Sequence, residues 1–556
     1  NGSTVSEYDT IRFNVVQTST EEAKNGTVAE GIYGVKFEET SGETADEENL
    51  VVNYKLAGVE ILGDKTLVME GDGADETGGN TFKGFITGTG NLEIAGDAVY
   101  LTNNTNSFTG TTTVVAGAPL HAAAGALGSE TASTASLNVS GAGTAYITGN
   151  NTVEGLQIAQ SGKLVLGDEK TAVPEDPVTL TLKSDVTAGS RLDGNLVGNG
   201  TLMVVGSGDV DDINKADLTI VGAQGDFYGD LVLDKRAWID LTTTGTNIFG
   251  NSSADASNQI KVSKDSLLTI HSTNALGSIF GGVFADGAGE HGGRVEITLA
   301  DSSLGFMFST KQNEAGFTGT IALQKGTIAL DNLFNDALPE GSAVKALADA
   351  TLELGADGRA VLNSASGGST GSYDAHLGGL TMKGGSIEFG SINYDAGDDS
   401  AASGAHASHI DLGGDGILDL YAPVKDEESG NIVTQSTITI AQNETNTLSS
   451  SGTEMLAADD GTSIVLIHGI GKLYANGVDV TDRAEEYGQI LNDYLHLVND
   501  AEGTQLLEQE VSIDGSGSVV DVAEVVRTFD DELTFSHLTE DSPDYAVSLG
   551  YKVDQV

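Results

Sequence analysis

The sequence predicts an all-β chain wound as a right-handed parallel β-helix, a solenoid with loop insertions. Three observations carry that expectation: two-residue alternation along most of the chain, almost no helical periodicity, and a recurring Phe-x-Gly element at uneven spacing. Typical strand runs are Gly90 to Ile94, Gly162 to Gly167, Gly200 to Val205 and Ala350 to Gly355, each closed by Gly, Asn, Asp or Ser. The main exception, Ala484 to Val498, spaces its apolar residues three to four apart, although Gly488 weakens it; a short helix or irregular excursion is expected there.

The Phe-x-Gly element occurs at Phe108-Thr109-Gly110, Phe227-Tyr228-Gly229 and Phe317-Thr318-Gly319, each followed by an alternating run. The first two copies follow Gly-x-Gly-x-Leu elements, Gly88 to Leu92 and Gly198 to Leu202. Unequal spacing does not fit equal propeller blades, whereas coils interrupted by loops accommodate it. In such a solenoid one coil cannot bury its apolar face alone, and stacking at about 4.8 Å builds a continuous interior. Phe108, Phe227 and Phe317 are then interior stacking residues. About two dozen residues per coil would make some 20 coils and a rod on the order of 100 Å. The expected divisions are an N-terminal capping segment with first coils (1–50), a shaft (51–448) and an acidic C-terminal region (449–556).

Composition narrows the function classes. The chain has 556 residues with 74 glycines but six prolines, so the glycine excess marks turns, and 39% hydrophobic content is enough for a core. Its 26 Lys plus Arg against 82 Asp plus Glu leave a net charge of −56, which repels nucleic acid, anionic lipid and sulfated glycans. The absence of cysteine removes disulfides, thiolate metal sites and a cysteine nucleophile, and suits a chain that crosses an oxidising periplasm unfolded. No apolar run is long enough to span a bilayer, and Asn1-Gly2-Ser3-Thr4 does not open a signal peptide, so a soluble protein or a processed fragment is expected.

Thr87 to Gly128 resembles the passenger-associated repeat of Gram-negative autotransporters. That pattern runs Gly-x-Gly-x-Leu, a spacer, Tyr/Phe-Thr-Gly-x-Thr-x-Val, then Ala-Gly and an apolar strand; the closing Ala126-Leu127-Gly128 also belongs to it. Val153 to Asp168 and Leu380 to Gly390 look like further rungs, and Ala546 to Val553 like a late passenger strand, whereas the acidic stretch from Ser449 onward departs from the pattern. The resemblance implies a type V secreted passenger at the cell surface, anchored through an outer-membrane barrel absent from this chain. By texture it is similar to the adhesin and self-associating group, which implies binding to itself on neighbouring cells or to a host matrix protein or glycan.

Catalytic and metal motifs compete with plain turns. Gly367-Gly368-Ser369-Thr370-Gly371 satisfies Gly-x-Ser-x-Gly but lies in a Gly/Ser loop with no strand-to-helix elbow. Asp514-Gly515-Ser516-Gly517-Ser518 reads as a hairpin-like turn, and Lys264-Asp265-Ser266-Leu267 lacks the glycine of a lipase block and sits in a strand-like run. A polysaccharide lyase or hydrolase on the same fold needs converging carboxylates and basic partners, and the latter are scarce; a passive stalk is a third reading. Asp411 to Asp419 places acids at positions 1, 5 and 9 of a calcium-like loop, but Gly413 removes a ligand and a turn is favoured. His406 and His409 lie close without a third ligand and read as solvated loop residues. No cofactor is expected, calcium being a weak signal. Binding is expected on protruding loops at 168–177, 208–217, 393–409 and 425–432, with Asp209, Asp211 and Asp212 as first choice.

Overall fold

The computed structural model describes residues 9–41, 48–71, 80–129, 132–133, 136–169, 176–184, 189–206, 215–245, 249, 258–287, 292–308, 316–330, 349–362, 374–389, 409–440, 448–449, 463–499, 506–513, 519–537 and 542–555. The chain is all-β with large parallel sheets. It divides into two compact units, residues 1–242 with 249–258, and residues 243–248 with 259–556.

In the N-terminal unit, Asp9–Gln17, Gly26–Ser41 and Glu48–Ile61 pair antiparallel, and the last then pairs parallel with Phe85–Gly88. From there the chain moves among three parallel faces. The first face contains Thr66–Gly71, Asn91–Gly96, Thr111–Val114, Ser136–Val139, Leu156–Ile158, Ser190–Leu192, Leu218–Val221 and Trp238–Thr243. The second contains Val99–Leu101, Pro119–Ala122, Thr144–Ile147, Lys163–Leu166 and Asn195–Gly198. The third contains Asn151–Val153, Thr179–Lys183, Thr201–Val205 and Asp230–Asp234. Among the described residues between 151 and 205 the order third, first, second repeats, each strand lying parallel to the one a circuit away.

Alternation explains the core. On the first face Ile94, Val114, Val139, Ile158, Leu192, Ile220 and Leu241 are consecutive register partners, none more than 2% exposed. Each such side chain contributes about 1.5–3 kcal/mol of burial, and in-register stacking puts like shape on like shape. Phe108, Phe227 and Phe317 are fully buried, as their motif predicted. The glycine of each motif has a separate reason. A Cβ on Gly110, Gly229 or Gly319 would overlap the carbonyl oxygen of Gly90, Gly200 or Gly293 respectively, so successive passes of backbone touch there. Gly90 and Gly200 are the second glycines of the Gly-x-Gly-x-Leu elements. The two motifs are therefore halves of one contact.

In the C-terminal unit, Leu267–Ser272, Arg294–Thr298, Thr320–Ala329 and Thr351–Leu362 stack parallel. Thr351–Leu362 then meets two short strands, Gly379–Met382 and Ser386–Phe389, which pair onward with His409–Leu420 and Ser436–Ile440. The end of the unit is antiparallel: Leu506–Ile513 pairs with Val519–His537, and Tyr545–Gln555 pairs with both Val519–His537 and Ser463–Ala475. The expected excursion at 484–498 is helical only over Tyr487–Tyr494, after a short 3-10 turn; Leu495–Asn499 joins a parallel sheet. Lys264 to Leu267 is not a strand interior as expected. It is a turn between Gln259–Val262 and Leu267–Ser272, with Asp265 at φ 64° and Ser266 only 1% exposed. A buried hydroxyl there is closed to a substrate.

Candidate functional site

Three successive rungs of the first face, Ser190–Leu192, Leu218–Val221 and Trp238–Thr243, build a hollow on the outer side of the N-terminal unit. Alternation turns Leu192, Ile220 and Leu241 inward, so Arg191, Thr219 and Asp240 face outward, and the register sets these three in one row. Gly189, two residues before Arg191, stands at φ 60°, and a Cβ there would meet nothing within 4 Å. Beside it lies a cavity of about 320 Å³, whose lining includes Gly189, Arg191, Lys215, Thr219, Trp238 and Asp240.

The walls are held in place. Trp238 N–H donates to Asp217 Oδ2 at 2.7 Å, and Asp217 N–H donates to the Trp238 carbonyl at 2.8 Å, so a buried carboxylate locks the rung that carries the indole. Arg191 grips Asp193 with two nitrogens, Nε to Oδ2 and Nη2 to Oδ1, both at 2.8 Å, which fixes the guanidinium plane. Gln157 Nε2 donates to the Gly189 carbonyl at 2.7 Å, steadying the open edge. Ser190 is not poised as a nucleophile, since its Oγ accepts the Leu156 amide at 3.0 Å in a buried position. The arrangement offers one large aromatic, planar hydrogen-bonding groups and a small floor, which equips it to bind.

No family model, curated protein or solved structure matches this chain.

The loop favoured by the sequence, with Asp209, Asp211 and Asp212, lies outside the described residues, as do most of 168–177 and 393–409, and also Gly367 to Gly371, Asp514 to Ser518 and His406. Lys215, on the hollow, belongs to the same 208–217 segment. The expected excursion at 425–432 is described: Val424–Lys425 and Ile432–Thr434 pair antiparallel around an exposed turn in which Ser429 Oγ donates to Asp426 Oδ1 at 2.8 Å. The calcium-like acids do not converge. Gly413 and Gly414, at φ 72° and 89°, bend the strand, and Asp419 turns to accept the Gly477 amide at 3.0 Å.

His409 overturns the solvated-loop reading. It is 2% exposed, and its ring lies 4.6 Å from that of His468. Asp411 sits between His376 Nδ1 at 3.0 Å and His468 Nδ1 at 3.5 Å, because the register stacks 376, 411 and 468 on successive strands. Burial opposes the Asp411 charge, but the His376 hydrogen bond, the Gly413 amide and the nearby His468 outweigh it and hold its pKa down to about 2. Among the described residues no group of three or more His, Asp or Glu side chains is placed to hold a metal ion. Tyr100, His121 and Tyr146 stack on the second face with centroids 4.4 and 4.5 Å apart. Imidazole occupies the inner face of each tyrosine there, so the ladder stiffens the sheet more than it offers a platform.

Of the two features that sequence reasoning missed, one had a usable signal. Trp238 is the chain's sole tryptophan and occupies an outward position of an alternating run, where an aromatic has no core to fill. The His376, Asp411, His468 row had no such signal, since it depends on the register of strands separated by dozens of residues.

Proposed function

We propose that the chain winds as a right-handed parallel β-helix and is the passenger of a Gram-negative autotransporter, exported to the cell surface and acting as a non-enzymatic adhesin. The observation that carries the reading is an unbroken outward row on the first face: Glu93, Thr113, Asn138, Gln157, Arg191, Thr219 and Asp240, one from each of seven successive rungs. Every member can donate or accept hydrogen bonds, and rung spacing repeats that capacity at about 4.8 Å. A partner with its own periodic polar groups, a second copy or an extended matrix protein or glycan, gains avidity from many weak contacts. The ordered sequence of faces between 151 and 205 supports the winding, and the resemblance of Thr87 to Gly128 supports the export route.

Display of the chain on a non-aggregating bacterial strain tests this. The expected result is settling of cells, biofilm, or retention on matrix-coated surfaces. Cells that behave like the undecorated strain across partners, salt and calcium levels refute it.

A further inference from the structure

We infer that the Trp238 hollow is a binding subsite for a neutral saccharide. The inference deepens the adhesive reading by naming a site and a ligand class; it takes its biological use from that reading, while its chemistry stands on the hollow alone.

A sugar ring presents an apolar C–H face and a rim of hydroxyls that both donate and accept. Recognition therefore asks for an aromatic surface beside planar groups that can bond two neighbouring hydroxyls at once. The hollow supplies both. Trp238 provides the aromatic surface, half-buried, on a strand whose backbone is held by Asp217. Asp240 accepts from hydroxyls and Arg191 donates to them, the two flanking Thr219 in one row. Gly189 and Thr219 keep the space open, and a cavity of about 320 Å³ lies at the small end of the usual ligand range, suited to one or two sugar rings.

Charge selects within the class. The Arg191 charge is matched by Asp193, and Lys215 shares the lining with Asp240, so among the described residues the hollow carries no net positive charge. A chain of net charge −56 repels uronates and sulfated sugars before they arrive. Neutral ligands escape that barrier.

Because Trp238 is the only tryptophan, its fluorescence reports on this hollow alone. The experiment titrates the full chain with neutral oligosaccharides of glucose, galactose, mannose and N-acetylglucosamine, and in parallel with oligouronates, at low and high salt. The expected result is a saturable fluorescence change with a neutral member, nearly independent of salt. Asp240→Asn and Arg191→Gln should each weaken it about tenfold, equivalent to about 1.4 kcal/mol. Thr219→Tyr, which fills the hollow while leaving Arg191, Lys215, Trp238 and Asp240 in place, should abolish it while thermal unfolding stays that of the parent. Trp238→Phe, followed by calorimetry, should retain weakened binding and Trp238→Ala none.

No response to any neutral member, a response to uronates alone, or an undiminished response in Thr219→Tyr overturns the inference. The adhesive reading is scored separately on displayed cells. If cells adhere and purified chain ignores every sugar, the hollow fails and the adhesin stands; sugar binding without adhesion gives the reverse.

Discussion

At the scale of single residues, the tightest constraints are steric. Gly229 leaves no room for a methyl group against the Gly200 carbonyl, and both belong to backbone that cannot retreat without disturbing a parallel pairing on either side. Gly229→Ala should therefore lower stability by about 3 kcal/mol through overpacking, read as an earlier urea midpoint. Gly225→Ala, only four residues away with open space at its Cβ, should leave the midpoint nearly unchanged. Equal effects would remove the close-approach account. Asp411 makes a different prediction. Its folded pKa of about 2 lies below the ordinary 3.8, so its stabilisation is fully present above about pH 4 and is lost as pH falls through 2. The side chain is 20% exposed, and the difference corresponds to about 2 kcal/mol. Asp411→Asn should flatten the acid limb of stability between pH 4 and 2; an unchanged slope would show that another group carries it.

At the scale of elements, buried amides tie rungs together where the chain turns. Asn106 Oδ1 accepts the Ile86 amide at 2.8 Å and its Nδ2 donates to the Ala126 carbonyl at 2.7 Å, so one side chain bridges segments twenty residues to either side. Asn106→Leu keeps the volume but strands both backbone groups, and should cost about 3 kcal/mol; protection of the Ile86 amide from hydrogen exchange should fall with it. Strands of this kind were legible from alternation alone: Asn91–Gly96, Lys163–Leu166 and Thr201–Val205 fall where the pattern put them. The motif phenylalanines were legible for the same reason, since an apolar ring beside a turn glycine has few places to go. Asn106 was not, because a polar residue in a turn reads as solvated until the partners twenty residues away are known. The same blindness hid the burial of His409 and the gathering of Arg191, Thr219 and Asp240 beside Trp238, although the outward place of Trp238 itself was readable. Each is made by the register between distant strands, which local periodicity does not encode.

At the scale of the whole molecule, net charge acts on stability and association whatever the local geometry. If every Lys and Arg were paired with an acid, 56 acidic groups would still lack a cationic partner. Sheet spacing of about 4.8 Å brings acids on adjacent rungs well inside the Debye length of about 8 Å at physiological salt, so their repulsion acts on the folded chain more than on an expanded one. Raising salt to about 1 M shortens that length to about 3 Å, below the rung spacing, and removes most of the penalty. Ion pairs such as Arg12 with Glu30 are weakened too, but they are exposed and contribute little each. The thermal unfolding temperature should thus rise by several degrees from low salt to about 1 M sodium chloride. Association between copies should strengthen over the same range, since like-charged chains approach more closely once screened. Calorimetry and sedimentation in one salt series measure both. A flat or falling unfolding temperature would mean that paired charges outweigh the unpaired excess, and copies that separate as salt rises would place attraction between opposite charges, rather than the polar row of the first face, at the centre of self-association.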